Sequence, residues 1–240
     1  MGRLTIGIVA EGPRDAEMIE ALISEFIPGD HLFLTLQPEM SETEGFGTDG
    51  GAGQHGGGWK GVISWCREIA EHFSGMSSFL TSTSPTIDLL VVHVDGDIAR
   101  EDEVNCLAPC PPINGTVQNL RSKINEWLQV KDIPANVVYC IPCDNVEAWI
   151  LCAFDPQTPL HNPEASVFLE CFHKPDMEIS KQGYNRPHRL LKRKSNDKPY
   201  KNKKIYQREL IPKVIEEWET VKHICSQAKA FEDDVKSILS

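Results

Sequence analysis

Short apolar runs alternate with amphipathic stretches along the first two thirds of the chain. Leu4-Thr5-Ile6-Gly7-Ile8-Val9-Ala10 reads as a strand, and Glu11-Gly12-Pro13 turns it into a helix from Arg14 to Phe26, where Met18, Ile19, Leu22, Ile23 and Phe26 recur at helical spacing. His31 to Leu36 alternates and reads as a second strand; Trp59 to Phe73 is helical again. The run Leu89-Leu90-Val91-Val92-His93-Val94 is rich in β-branched residues and reads as a buried parallel strand ending in Asp95-Gly96-Asp97. Residues 98–115 are rich in Pro, Asn and Cys and read as irregular. A helix from Thr116 to Val130 buries Leu120, Ile124, Trp127 and Leu128; Val137 to Ile141 is the next strand, and Val146 to Phe154 a short helix. Repeated strand–helix alternation predicts an α/β fold with a mostly parallel sheet flanked by helices. Past Asp155 the alternation stops. Helices at Glu164 to Phe172, Ile205 to Glu219 and Ala228 to Leu239 predict a helical C-terminal appendage, residues 155–240, on a core of residues 1–154.

Charge changes this picture more than composition does. The net charge is −11, yet from Lys181 to Lys213 twelve Lys/Arg stand against only Asp197 and Glu209. That segment carries +10 and the rest of the chain −21. Clustered cations are the footprint of a phosphate-binding surface, so nucleic acid is the expected partner, through Arg189, Lys192, Arg193, Lys194, Lys198, Lys201, Lys203 and Lys204, with Tyr184, Tyr200 and Tyr206 interleaved for base stacking. A solvated charge run or a face for an acidic partner is the plainer alternative. No apolar run approaches the ~20 residues that cross a bilayer and no secretory pattern opens the sequence, so a cytoplasmic protein with no membrane partner is expected. Several of the eight cysteines (Cys140, Cys152, Cys171) lie in apolar runs and read as reduced core thiols; Cys106, Cys110, Cys140 and Cys143 as a zinc set is the weaker reading.

Acids close three strands: Glu11, then Asp95 and Asp97, then Asp144 with Glu147. Ligands of open α/β sheets collect at the carboxyl ends of strands. On extended backbone Asp95 and Asp97 would point the same way and share one hard cation, with Gly96 allowing close approach; a solvated strand-to-loop turn, common chemistry for Asp-Gly, is the plainer alternative. Asp15, one helical turn after Glu11, would face the same place; helix N-terminal stabilisation is its plainer role, as for Glu147. So many carboxylates need a counter-charge, and Mg²⁺ or Mn²⁺ fits. The glycine-rich stretch 45–58 does not match a nucleotide-binding loop, because Trp59 follows Gly58 where a lysine would be required. It reads as a flexible loop over substrate.

At Ile8-Val9-Ala10-Glu11-Gly12-Pro13-Arg14-Asp15 and Val91-Val92-His93-Val94-Asp95-Gly96-Asp97 the chain resembles the Toprim domain, the metal-binding α/β module of topoisomerases, bacterial primases and OLD-family nucleases. With Pro142-Cys143-Asp144-Asn145-Val146-Glu147-Ala148-Trp149 added, it looks most like small stand-alone OLD-like Toprim proteins of bacteria and phage-defence loci. The resemblance spans residues 4 to 154. It implies a metal-dependent nuclease acting on DNA, ahead of RNA, with Glu11, Asp95 and Asp97 catalytic. Glu11 would be the general acid/base or a metal ligand, Asp95 and Asp97 would hold Mg²⁺ or Mn²⁺, and Asp15 and Glu147 would help to hold a second ion. It also implies an ABC-type or SMC-like ATPase partner. The basic residue that nuclease branches set beside the metals is not assignable from sequence; Lys60, Lys198 and Lys201 are the candidates. The competing expectation is a non-catalytic nucleic-acid- or ATPase-binding subunit that keeps only the fold.

Overall fold

The structure, a computed structural model, describes residues 2–39, 54–106, 110–158 and 168–238. Most of the glycine-rich stretch 45–58, and the first part of the helix expected from Glu164, lie outside the described residues.

Four strands, β1 (Thr5–Val9), β2 (Leu32–Gln37), β3 (Leu89–His93) and β4 (Val137–Cys140), form one sheet in the order β2-β1-β3-β4, every pair parallel. Parallel neighbours need crossovers, and helices supply them: α1 (Pro13–Phe26) between β1 and β2, α2 (Gly58–His72) and α3 (Met76–Ser82) between β2 and β3, and α4 (Ile113–Trp127) between β3 and β4. Both faces of the sheet are therefore covered, which is why β1, β3 and β4 are buried apolar runs, whereas the edge strand β2 is half-buried. Ile6, Ile8, Leu89, Val91, Val138 and Cys140 face α1 and α5 (Glu147–Phe154). Val9, Leu90, Val92, Val137 and Tyr139 face α2, α3 and α4 on the other side.

Beyond α5 come α6 (Pro175–Ile179), a small antiparallel hairpin of β5 (Lys192–Arg193) and β6 (Pro199–Tyr200), one helical turn α7 (Lys203–Ile205), a π-helical stretch (Tyr206–Leu210), then α8 (Ile211–Glu216), α9 (Trp218–Ile224) and α10 (Ser226–Ile238). Trp149 of α5, wholly buried, packs edge-on against Trp218 and stacks on Phe231. One hydrophobic core thus joins the sheet, α1 and the C-terminal helices, and it runs across residue 154, the boundary expected from the sequence.

The region 98–115 is more regular than its composition suggests: Gly96–Arg100 is a 3-10 turn and α4 starts at Ile113. Cys171 is not a free core thiol. It is bonded to Cys110, 61 residues away, with their Cα atoms 5.7 Å apart, a pairing that sequence spacing does not encode. Cys66, Cys140, Cys143, Cys152 and Cys225 are free and buried. Among the described residues no helix is long and apolar enough to cross a membrane.

Candidate functional site

The strand order reverses direction at β1. β2 lies on one side of it, and the next strand in sequence, β3, on the other. Such a switch point opens a crevice at the carboxyl ends of the two diverging strands, and here those ends carry Glu11 and Asp95. They are 84 residues apart in sequence, yet the Asp95 N–H donates to Glu11 Oε1 at 2.8 Å.

The paired aspartates do not continue the strand as expected. β3 stops at His93, Asp95 precedes the 3-10 turn, and Asp97 lies within its first turn. The cause is backbone pairing between strand ends: Gly96 N–H donates to Pro142 O at 2.9 Å and Asp97 N–H to Asp144 O at 2.8 Å. Gly96 does permit a close approach, but to β4's trailing backbone. A Cβ there would lie 2.2 Å from Cys143 O and 2.4 Å from Pro142 O. Asp95 Oδ1 accepts from Val146 N–H at 3.3 Å and stands 3.5 Å from His93 Nε2.

Asp15 on α1 and Glu147 on α5 converge on the same sheet face, both buried. Lys201, next to the end of β6, reaches between them. Its Nζ lies 2.6 Å from Glu147 Oε1 and 3.8 Å from Asp15 Oδ1. Tyr206 OH donates to the same Glu147 oxygen at 2.5 Å, so the structure buries this tyrosine as a carboxylate partner and removes it from base stacking. Asp144 is engaged elsewhere: Arg100 Nη1 lies 2.8 Å from it, His173 Nδ1 3.6 Å, and Lys174 N–H donates to it at 3.2 Å.

The electrostatics follow from burial. Glu11 is pushed well above the carboxylate range by burial and then by repulsion from Asp95. Asp97 rises to about 7 for the same reasons, with Asp95 and Asp144 as the repelling charges. Burial also raises Asp15 and Glu147, although Lys201 opposes it at both. Burial disfavours the charge of Lys201 itself, but Glu147 and Asp15 outweigh that and hold the ammonium well above its ordinary value. His93 is likewise held above the imidazole range, its burial overcome by Asp95 and Asp15.

No family model matches the chain, and no curated protein or solved structure matches it.

Two observations fit a divalent cation at this edge. Asp15 Oδ1 and Glu147 Oε2 are buried without a hydrogen-bond partner, and the donors are carboxylate oxygens, which suit a hard ion. Among the described residues, however, no three or more His, Cys, Asp or Glu side chains stand close enough together to hold an ion as they are. The carboxylates line the crevice without converging on one point.

Of the basic residues, Arg189, Lys192, Arg193, Lys194, Lys198, Lys203 and Lys204 are exposed. Arg193 Nη1 pairs with Asp197 at 2.9 Å, Lys203 approaches Glu17 at 4.0 Å, and Lys194 Nζ lies 5.5 Å from the centre of the Tyr200 ring. Arg186 is buried against Glu178 and Asp155 and belongs to the fold. Among Lys60, Lys198 and Lys201, it is Lys201 that reaches the acids; Lys60 pairs with Glu103 at 2.9 Å. Tyr206 and Arg100 were not found from sequence as site neighbours. Arg100 had a local signal, lying three residues after Asp97, whereas Tyr206 meets a partner 59 residues away.

Proposed function

We propose that the protein is a divalent-metal-dependent nuclease that hydrolyses phosphodiester bonds, in DNA ahead of RNA. The observation that carries this reading is the continuity between two unlike surfaces. The exposed basic hairpin suits a phosphate backbone, and Lys201, the residue next to it, lies among the crevice carboxylates. Phosphates bound along Arg189, Lys192, Lys194 and Lys198 would lead a strand toward Glu11, Asp95 and Asp97.

In this reading Asp95 and Asp97 would hold Mg²⁺ or Mn²⁺ with help from Glu11. When bound, such an ion supplies Lewis-acid stabilisation of the charge that develops on phosphoryl oxygens. The Asp95 N–H fixes Glu11 Oε1, and the second oxygen of Glu11 takes the proton of the attacking water. Burial and Asp95 raise the affinity of Glu11 for protons, which is the direction a general base needs. Lys201 adds a fixed positive charge beside the scissile group, in the preorganised manner that stabilises a charged transition state. Tyr206 and Asp15 orient Lys201 through Glu147 and by direct attraction. Phage defence with an ATPase partner belongs to the same proposal and rests on the resemblance alone.

The test is nicking of supercoiled plasmid, with single-stranded DNA and structured RNA in parallel, in Mg²⁺ and Mn²⁺, for wild type and Asp95→Ala/Asp97→Ala. Metal-dependent cleavage that drops at least about 100-fold in the variant is expected. A wild-type protein that binds nucleic acid and ion but cleaves none of these substrates would favour the non-catalytic binding subunit.

A further inference from the structure

The crevice carboxylates fall into two groups. Glu11, Asp95 and Asp97 gather at the ends of β1 and β3, linked by the Asp95 N–H to Glu11. Asp15 and Glu147 face each other from α1 and α5, with Lys201 Nζ between them.

The position of Lys201 is built by its neighbours in the chain. On one side Tyr200 is held in register opposite Lys192 in the hairpin. On the other, Asn202 caps the next helical turn, its Oδ1 accepting from Lys204 N–H at 3.0 Å and Ile205 N–H at 3.3 Å. Backbone on both sides is fixed, and the side chain is only 33 % exposed. Tyr206 OH shares Glu147 Oε1 with the ammonium. An ion bridging Asp15 and Glu147 would sit about 2.1 Å from an oxygen of each, and Lys201 Nζ already stands between them, 3.8 Å from Asp15 Oδ1 and 2.6 Å from Glu147 Oε1. Two like charges cannot occupy that gap together.

We propose that Lys201 takes the place of a second metal ion: the chain's own ammonium fills the Asp15/Glu147 half of the crevice, and the Glu11/Asp95/Asp97 half takes a single divalent ion. This rests on the metal-dependent reading above and departs from the second ion that the Toprim resemblance implies. Asp15 Oδ1 and Glu147 Oε2, buried and without hydrogen-bond partners, are the oxygens that an ion would find if the ammonium were removed.

The experiment counts ions in the full chain by calorimetric titration with Mn²⁺, checked by electron paramagnetic resonance of the unbound fraction. Wild type is expected to take one ion, Asp95→Asn/Asp97→Asn none, and Lys201→Arg one. Lys201→Met is expected to take two, and adding Glu147→Gln to it returns the count to one. Two ions in wild type, or one in Lys201→Met, would overturn the proposal. Should Lys201→Met lose its near-ultraviolet circular dichroism, Glu147→Gln in the wild-type background decides. A count that stays at one supports the proposal, and a count of zero places the ion where Lys201 stands and overturns it. A wild type that takes no ion overturns this proposal and the metal-dependent reading together, whereas one ion without cleavage overturns only the nuclease.

Discussion

Asp97 shows what a single side chain in this crevice costs the fold. Burial and the charges of Asp95 and Asp144 raise its pKa to about 7, so the folded protein holds that proton more tightly than the unfolded chain does. Wherever the folded state binds more protons, stability falls as pH rises, here between about pH 4 and pH 7. Asp97→Asn removes the penalty. In chelator at pH 7.5 we expect the variant to be more stable by about 1–2 kcal/mol after allowance for partial exposure, or roughly 3–6 °C in Tm, with a flatter profile below pH 7. A Tm unchanged or lower would show that the charge is already compensated. Glu11, Asp95 and Asp97 were legible in the sequence because a strand end followed by an acid is a local pattern. Lys201 could be named as one of three candidates but not chosen, because its partners Asp15 and Glu147 come from elements far away in the chain. Asp95-Gly96 offers a turn as the plainer reading of this stretch, but that Pro142 and Asp144 hold the backbone there cannot be read from spacing.

Elements with a clear apolar period were legible to within a few residues. The strand before Asp95, the helix after Glu11 and the strand before Asp144 all form where expected, within a few residues at their ends. The hairpin was not. Its strands are two residues each, Lys192–Arg193 and Pro199–Tyr200, with no alternation to read. The helix expected at Ile205 to Glu219 forms in pieces, and Pro212 gives the reason: without an N–H it cannot donate to the carbonyl four residues back, and the ladder widens into the π-helical Tyr206–Leu210. The first residue of that π-helical stretch, Tyr206, is the one whose hydroxyl meets Glu147. The hairpin also permits a prediction of its own. Lys192→Ala/Lys194→Ala/Lys198→Ala should weaken duplex binding alike across sequences and reduce the slope of log K against log salt by roughly 1 per lysine. Fluorescence anisotropy at several salt concentrations would measure it, and an unchanged slope would place the phosphates on another surface.

Taken whole, the molecule has two layers of helices on one parallel sheet, and Trp149 fastens the C-terminal helices to one of those layers through Trp218 and Phe231. Trp149→Ala should therefore lower stability by about 3–5 kcal/mol, and wild type should melt in a single transition followed by tryptophan fluorescence and calorimetry alike. A loss under about 1 kcal/mol, or two separated wild-type transitions, would mean that the helices beyond residue 154 fold apart from the sheet. The sheet's switch point has a further consequence. The Ala10 N–H donates to Gln37 O at 2.8 Å as the chain leaves β2, and Gly58 N–H donates to Glu11 O at 2.8 Å as it enters α2. Both residues that follow β1 are thus tied by backbone, Ala10 to the end of β2 and Glu11 to the start of α2. The floor of the crevice at Glu11 is therefore a fixed point: both backbone ties would have to break before this carboxylate could move away from Asp95.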